Sequence, residues 1–304
     1  MNWPDKKAEI QEIQEPLFIE KGVRVFMQRD DLLHPGISGN KWRKLKFNVL
    51  DAASKKLNTL VTVGGSHSNH IAAVAAAGKE FGFKTVGLIR GYEGYRNNPT
   101  LKQAAEMGMD IRFLDKAQYN ELHDVHLPKL EKEIGSYYFV PMGGGNELGT
   151  QGSMEIVNDT PHNTTHIAVA CGTGSTLAGI HLAAQQNQNC IGFPVMKNGD
   201  FIRDEVIEFQ KNFSKPVSKL NLVTDYHFGG FGKMKPELLD FINLFYKKHQ
   251  IPLDGIYTGK MMFGLFELID KNHFPTGSIL TAIHTGGVQG NLGLMERYSV
   301  SLPL

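Results

Sequence analysis

Short apolar runs alternate along this chain with longer stretches in which apolar positions recur every three or four residues. Val23 to Met27, Leu60 to Val63, Thr85 to Ile89, Ile111 to Leu114, Tyr137 to Val140, His166 to Ala170, Cys190 to Val195, Leu220 to Thr224 and Ile279 to Ile283 read as strands. Between them Leu45, Val49 and Ala53 place a helix from Trp42 to about Lys56. An alanine-rich helix starts at Ile71. Others cover Thr100 to Met107, about 128 to 134, about 147 to 158, Leu177 to Leu182, about 204 to 211, about 236 to 248 and about 261 to 270. Strands of four or five apolar residues separated by helices belong to parallel sheets covered on both faces. The fold class expected is therefore α/β, and residues 1 to 22, polar and broken by prolines, form no part of the pattern.

At 304 residues the chain exceeds what one core normally holds, so two open, twisted parallel-sheet lobes are expected. Residues 42–141 form the smaller; residues 1–41 and 142–304 form the larger, with a ligand between. Lys+Arg 32 against Asp+Glu 31 supplies no basic face for nucleic acid. No run of about 18 apolar residues suits a bilayer. The first residues lack the apolar stretch of a secretory signal, and two cysteines, Cys171 and Cys190, make no disulfide framework, so a reduced, cytoplasmic setting is expected. The partner expected is a small molecule.

Candidate chemistry lies in the loops. Ser38-Gly39-Asn40-Lys41 sets one lysine behind a flexible tripeptide at the head of a helix, where desolvation would free its amine to attack a carbonyl. Gly172-Thr173-Gly174-Ser175-Thr176 joins a strand to a helix, and its small residues let backbone N–H groups and hydroxyls converge on a phosphate at the positive helix end. No lysine follows as in a Walker loop, and the third glycine of a dinucleotide fingerprint is missing. The same five residues also read as an ordinary strand-to-helix turn. Gly64-Gly65-Ser66-His67-Ser68-Asn69 ends another strand, with Ser68 and Asn69 either donors to a ligand or helix caps. His67 and His70 share no metal-ligand spacing with a third group and read as solvated or capping. Asp254 to Lys260 and His284 to Gly287 are two further loops of this kind, where a tyrosine or a glycine pair is as readily structural.

Taken in order, Arg29-Asp30-Asp31, Gly39-Asn40-Lys41 with Arg43-Lys44-Leu45, Gly64-Gly65 with Ser68-Asn69, Gly174-Ser175-Thr176, Tyr257-Thr258-Gly259-Lys260 and His284-Thr285-Gly286-Gly287 resemble one family. These are the fold-type II (tryptophan synthase β-like) pyridoxal phosphate enzymes, and within them the 1-aminocyclopropane-1-carboxylate deaminase and D-cysteine desulfhydrase branch. The resemblance runs from about Pro16 to Leu292. It implies pyridoxal 5'-phosphate as cofactor, Lys41 as the Schiff-base lysine, and Asn69 on the cofactor's phenolic oxygen. It also implies Ser68 on the substrate carboxylate, Gly172, Thr173, Gly174, Ser175 and Thr176 on the phosphate, Tyr257 beside the substrate, and Thr258 or Thr285 facing the pyridine nitrogen. A homodimer is implied as well.

Two departures bear on substrate. Ring-opening members carry an acid where this chain has Thr258, and a second tyrosine where it has Phe231. Tyr226 is a candidate substitute for that lost hydroxyl. Both changes favour a lyase that converts a small D-amino acid with a β leaving group to ammonia and a 2-oxo acid. Opening of 1-aminocyclopropane-1-carboxylate is the alternative. Two readings from other classes are a non-catalytic module that holds a phosphorylated metabolite, and a nucleotide-dependent oxidoreductase.

Overall fold

A strand that the apolar pattern misses begins the fold. In a computed structural model, which describes residues 1–213 and 220–304, Glu9–Ile13 forms β1 and pairs antiparallel with β2, Arg24–Arg29. Only Ile13 of β1 is buried, so alternation is too weak to announce an edge strand. The strands that follow are β3 (Thr59–Gly65), β4 (Lys84–Arg90), β5 (Met109–Leu114), β6 (Tyr138–Val140), β7 (His166–Cys171), β8 (Asn189–Pro194), β9 (Asn221–Leu222) and β10 (Ile279–Ile283). They make two sheets, one ordered β5-β4-β3-β6 and the other β1-β2-β10-β7-β8-β9. Every pairing except β1 with β2 is parallel. The α/β, two-sheet architecture expected from the sequence is the one found. Leu220 to Thr224 shrinks to the two residues of β9, and the helix expected from about 147 to 158 divides into Glu147–Met154 and Ile156–Asp159.

The last strand, β10, lies between β2 and β7. Its C-terminal loop, which holds Thr285, therefore emerges beside the Gly172–Gly174 loop that follows β7, at the carboxyl ends where open parallel sheets collect ligands. The lysine helix runs Asn40–Ser54, two residues earlier than the apolar spacing indicates, so Lys41 falls in its first turn. That turn carries polar residues inward, which an apolar period cannot register.

Close helix contacts fix this turn against the larger sheet. A Cβ on Gly152 of the Glu147–Met154 helix would stand 2.0 Å from the Arg43 carbonyl oxygen, so only glycine lets the two helices meet there. Arg43 also anchors the turn through charge. Its Nε donates to Asp30 Oδ2 at 3.3 Å and its Nη2 to Asp159, while Asp30, fully buried, accepts a further bond from Gln28. Burial alone raises Asp30, and the facing guanidinium opposes the rise. An unpaired charge here would be strongly destabilising, which gives the Arg29-Asp30-Asp31 segment a structural reason.

Among the described residues no helix is long and apolar enough to cross a membrane, and no group of His, Cys, Asp or Glu could hold a metal ion. Cys171 and Cys190 are both buried and free of any disulfide.

Candidate active site

A cavity of about 1290 Å³ opens between the loops of the two sheets. Lys41, Ser68, Asn69, Gly172, Thr173, Gly174, Thr176, Tyr257 and Thr285 line it together, so most of the side chains expected from sequence converge. Ser175 and Thr258 do not line it. Ser175 is fully buried just beneath, and Thr258 donates its hydroxyl to Asp254 Oδ2 at 2.6 Å. Asp254 also accepts from the backbone of Ile256, Tyr257 and Thr258 where the Thr258–Asp270 helix begins, which commits that threonine to the turn. Of the two threonines proposed to face the pyridine nitrogen, Thr285 alone reaches the cavity. Tyr226 does not: it approaches Phe263 and Lys271 instead, and so replaces no missing hydroxyl.

Lys41 presents a desolvated amine to the cavity. Burial lowers its amine to about 8, with the negative charge of Asp254 acting the other way. Its Nζ donates to Asn40 Oδ1 at 2.8 Å, and Asn40 Nδ2 donates to Thr176 Oγ1 at 2.9 Å. One amide therefore holds the lysine in register with the glycine loop. Sequence reading passed over Asn40 because it sits one position from the lysine and resembles any N-terminal asparagine of a helix.

Lys44 is the second residue missed. It lies three positions after Lys41, a spacing that puts both on one face of a helix. Its side chain is almost wholly buried, and Nζ donates to Ser175 Oγ at 2.6 Å. No carboxylate partners it among the described residues. Burial and the charge of Lys41 push it well below the usual lysine value, an expense that an anion in the cavity would offset. The helix Ser175–Ala183 starts beside it with no side-chain cap, leaving the first-turn N–H groups to a ligand. A buried lysine without a counter-ion, an uncapped helix start and a desolvated amine on one cavity fit a phosphate-bearing aldehyde.

The facing wall comes from the loop after β3. Ser68 caps the Asn69–Phe81 helix, accepting from the His70 and Ile71 amides, and its hydroxyl hydrogen remains free to donate. Asn69 Oδ1 accepts from Gln289 Nε2 at 3.1 Å. His70 is neither solvated nor capping, contrary to expectation. It is almost fully buried and bonds through Nε2 to Thr62 Oγ1 at 2.8 Å. Since that hydroxyl donates to the Val140 carbonyl, Nε2 carries the hydrogen and Nδ1 is an acceptor with no partner among the described residues. Burial, Lys41 and Lys44 together hold the ring well below its ordinary value, so it stays neutral.

Tyr257 lies over Gly172, its ring 3.2 Å from where a Cβ would stand. Burial and then Asp254 raise its phenol above the ordinary tyrosine value, so it is a proton donor, not a base, at neutral pH. Cys171 also lines the cavity, but burial pushes its thiol up to about 12, so it supplies no thiolate there.

Comparison with known proteins shows the family. Over the share of this chain and of each relative in turn, a Pyrococcus furiosus protein named "Putative 1-aminocyclopropane-1-carboxylate deaminase" is 34% identical over 287 residues (88% and 86%). A D-cysteine desulfhydrase of Yersinia pestis (strain Pestoides F) is 30% identical over 287 residues (88% and 87%). A crystal structure of an ACC deaminase homologue superposes with a TM-score of 0.84 at 29% identity, covering 97% of this chain and 94% of that one. An O-acetylserine-dependent cystathionine β-synthase from Helicobacter pylori, 14% identical with a TM-score of 0.67, covers 98% and 96% and shares the fold. The family model described as pyridoxal-phosphate dependent enzyme matches residues 14–286, and with it the chain belongs to the pyridoxal-phosphate-dependent enzymes.

Proposed function

We propose that this enzyme converts a small D-amino acid carrying a β leaving group into a 2-oxo acid and ammonia. The observation that carries the reading is a desolvated Lys41 amine sharing one cavity with the Gly172–Thr176 loop and a protonated Tyr257. A D-cysteine desulfhydrase among the relatives supports the substrate class.

Pyridoxal phosphate, when bound, draws electrons from the Cα of an amino acid joined to it. The protein does the rest. Lys44 and the first-turn amides of the Ser175–Ala183 helix would hold the phosphate, with Thr173 and Thr176 adding hydroxyls. Lys41 is the covalent anchor, and its amine, close to half-protonated near pH 8, removes the Cα proton. Asn40 keeps that amine aimed. The Ser68 hydroxyl hydrogen would hold the substrate carboxylate, while Asn69 would donate to the cofactor's ring oxygen. Thr285 would meet the ring nitrogen with a hydroxyl, which would leave that nitrogen less protonated than a carboxylate would. The Tyr257 phenol gives a proton to the departing β-substituent.

Lys41 also sets a pH dependence. Its amine is charged below about 8 and free above it, so capture of added pyridoxal phosphate by apoenzyme should rise with pH and level off past 8. Stopped-flow capture rates from pH 6.5 to 10 check this. A rate that keeps rising tenfold per unit beyond pH 9 would show an ordinary lysine. Stability has the same sign: the unfolded lysine keeps its proton to about 10.4, so this residue's penalty is full below 8 and fades as pH climbs.

The functional test is release of 2-oxo acid and ammonia by purified holoenzyme from D- and L-cysteine, D-serine and 1-aminocyclopropane-1-carboxylate. Equal yields of both products from D-cysteine are expected. Turnover of the cyclopropane amino acid alone would establish ring opening instead, and no product from any of them would overturn both.

A further inference from the structure

The cavity of about 1290 Å³ receives the cofactor together with the substrate, and its two sides differ. From Tyr257 outward the side built on the larger sheet carries apolar side chains: Phe231 meets the Tyr257 ring edge-on at 5.9 Å between centroids, and Phe201 and Met196 also line the cavity. Phe231, Phe201 and Met142 remain 54%, 43% and 47% exposed. Single exposed apolar side chains are ordinary on a protein surface; several on the wall of one cavity mark a binding surface. The facing side, from the loops after β3, β4 and β6, offers Ser68, Asn69, Asn97 and Arg90 together with Tyr95 and Met142.

We propose that the preferred substrate is an S-substituted cysteine whose substituent is bulky and apolar, seated on Phe231, Phe201 and Met142, with free cysteine at the poor end of the range. This rests on the β-elimination reading above. The substrate carboxylate is held by Ser68 on the facing side, which turns Cβ and its substituent toward Tyr257 and the wall beyond it. The Cβ–S bond breaks with its electron pair on sulfur, and Tyr257 protonates that sulfur, so the substituent departs as a thiol. One water is consumed, the three-carbon skeleton leaves as a 2-oxo acid, and the nitrogen leaves as ammonium. No oxidant or reductant takes part. The soft sulfurs of Met142 and Met196 suit a thioether or aromatic substituent.

The test is kcat/KM of the holoenzyme for free, S-methyl-, S-butyl- and S-benzylcysteine as both enantiomers, followed by 2-oxo acid release. Seating apolar surface should raise kcat/KM by roughly threefold to fourfold per methylene, and by at least about tenfold from S-methyl to S-benzyl. Phe201→Ser and Phe231→Ser should each lower the S-benzyl to S-methyl ratio by about fivefold or more; Phe201, exposed on a short turn, carries little folding risk. A flat or falling series in the parent, or ratios unchanged in both variants, overturns the proposal. Turnover of free cysteine without the substituted forms overturns it and leaves the elimination reading standing. No turnover of any of the four overturns both.

Discussion

Lys41→Ala lowers turnover by about 10⁴-fold, the upper end of what a general base supplies, and abolishes the absorbance band of the cofactor's covalent link to lysine in the same protein. Both losses are expected because one amine is at once the covalent anchor and the base. Lys44 cannot take over, since its Nζ is turned to Ser175 and buried beneath the loop. Asn40, left without its lysine, still bonds Thr176, so the glycine loop keeps its shape and the phosphate still binds. The variant should therefore fold with parental circular dichroism and hold pyridoxal phosphate reversibly. Near-parental turnover would remove Lys41 from the chemistry.

Gly39→Ala is expected to destabilise the protein by at least about 4 kcal/mol, a size reserved for gross steric conflict, and to prevent stable capture of the cofactor. Gly39 precedes the lysine helix with φ 64° and ψ −142°, backbone geometry that side chains do not tolerate. A Cβ there would stand 1.9 Å from the Thr285 carbonyl oxygen and 2.3 Å from the Gly286 nitrogen. Relief requires the lysine turn to move off the loop after β10, which takes Lys41 out of register with Thr285. Gly82→Ala separates overlap from strain. Its φ is also positive, at 76°, but its Cβ would meet nothing within 4 Å, so only the left-handed penalty of roughly 1–2 kcal/mol applies. Urea unfolding of both variants, with the absorbance of the holoenzyme, checks the pair. Equal losses would mean that the contact with Thr285 contributes nothing.

What the sequence disclosed follows from how each feature is encoded. Parallel strands buried on both faces leave continuous apolar runs, so β3, β4, β7, β8 and β10 were readable to within a residue or two. β1 was not, because an edge strand with one buried side chain is written by its partner β2. The helix Gly290–Tyr298, which brings Leu294 to the cavity, was missed for a related reason: its sequence GNLGLMERY has two glycines and little apolar period. Lys41 and the Gly172–Thr176 loop were legible since loops that meet ligands use small residues and one reactive group in sequence. Asn40, Lys44 and His70 were not legible as a set. Each acts through a partner more than a hundred residues away or, for His70, on a neighbouring strand, and tertiary contacts of that kind leave no local spacing. Thr258 shows the opposite error. Its motif position suggested a ligand contact, and the folded chain spends its hydroxyl on Asp254.

The claim on which all of this depends is the covalent bond at Lys41, and it is tested by reducing the holoenzyme with borohydride, digesting it and weighing the peptides. One phosphopyridoxyl group per chain on the peptide containing Lys41, absent from the Lys41→Ala protein treated in parallel, is the predicted result. The same mass on Lys44, Lys260 or any other lysine of the parent, with the Lys41 peptide unmodified, would contradict it.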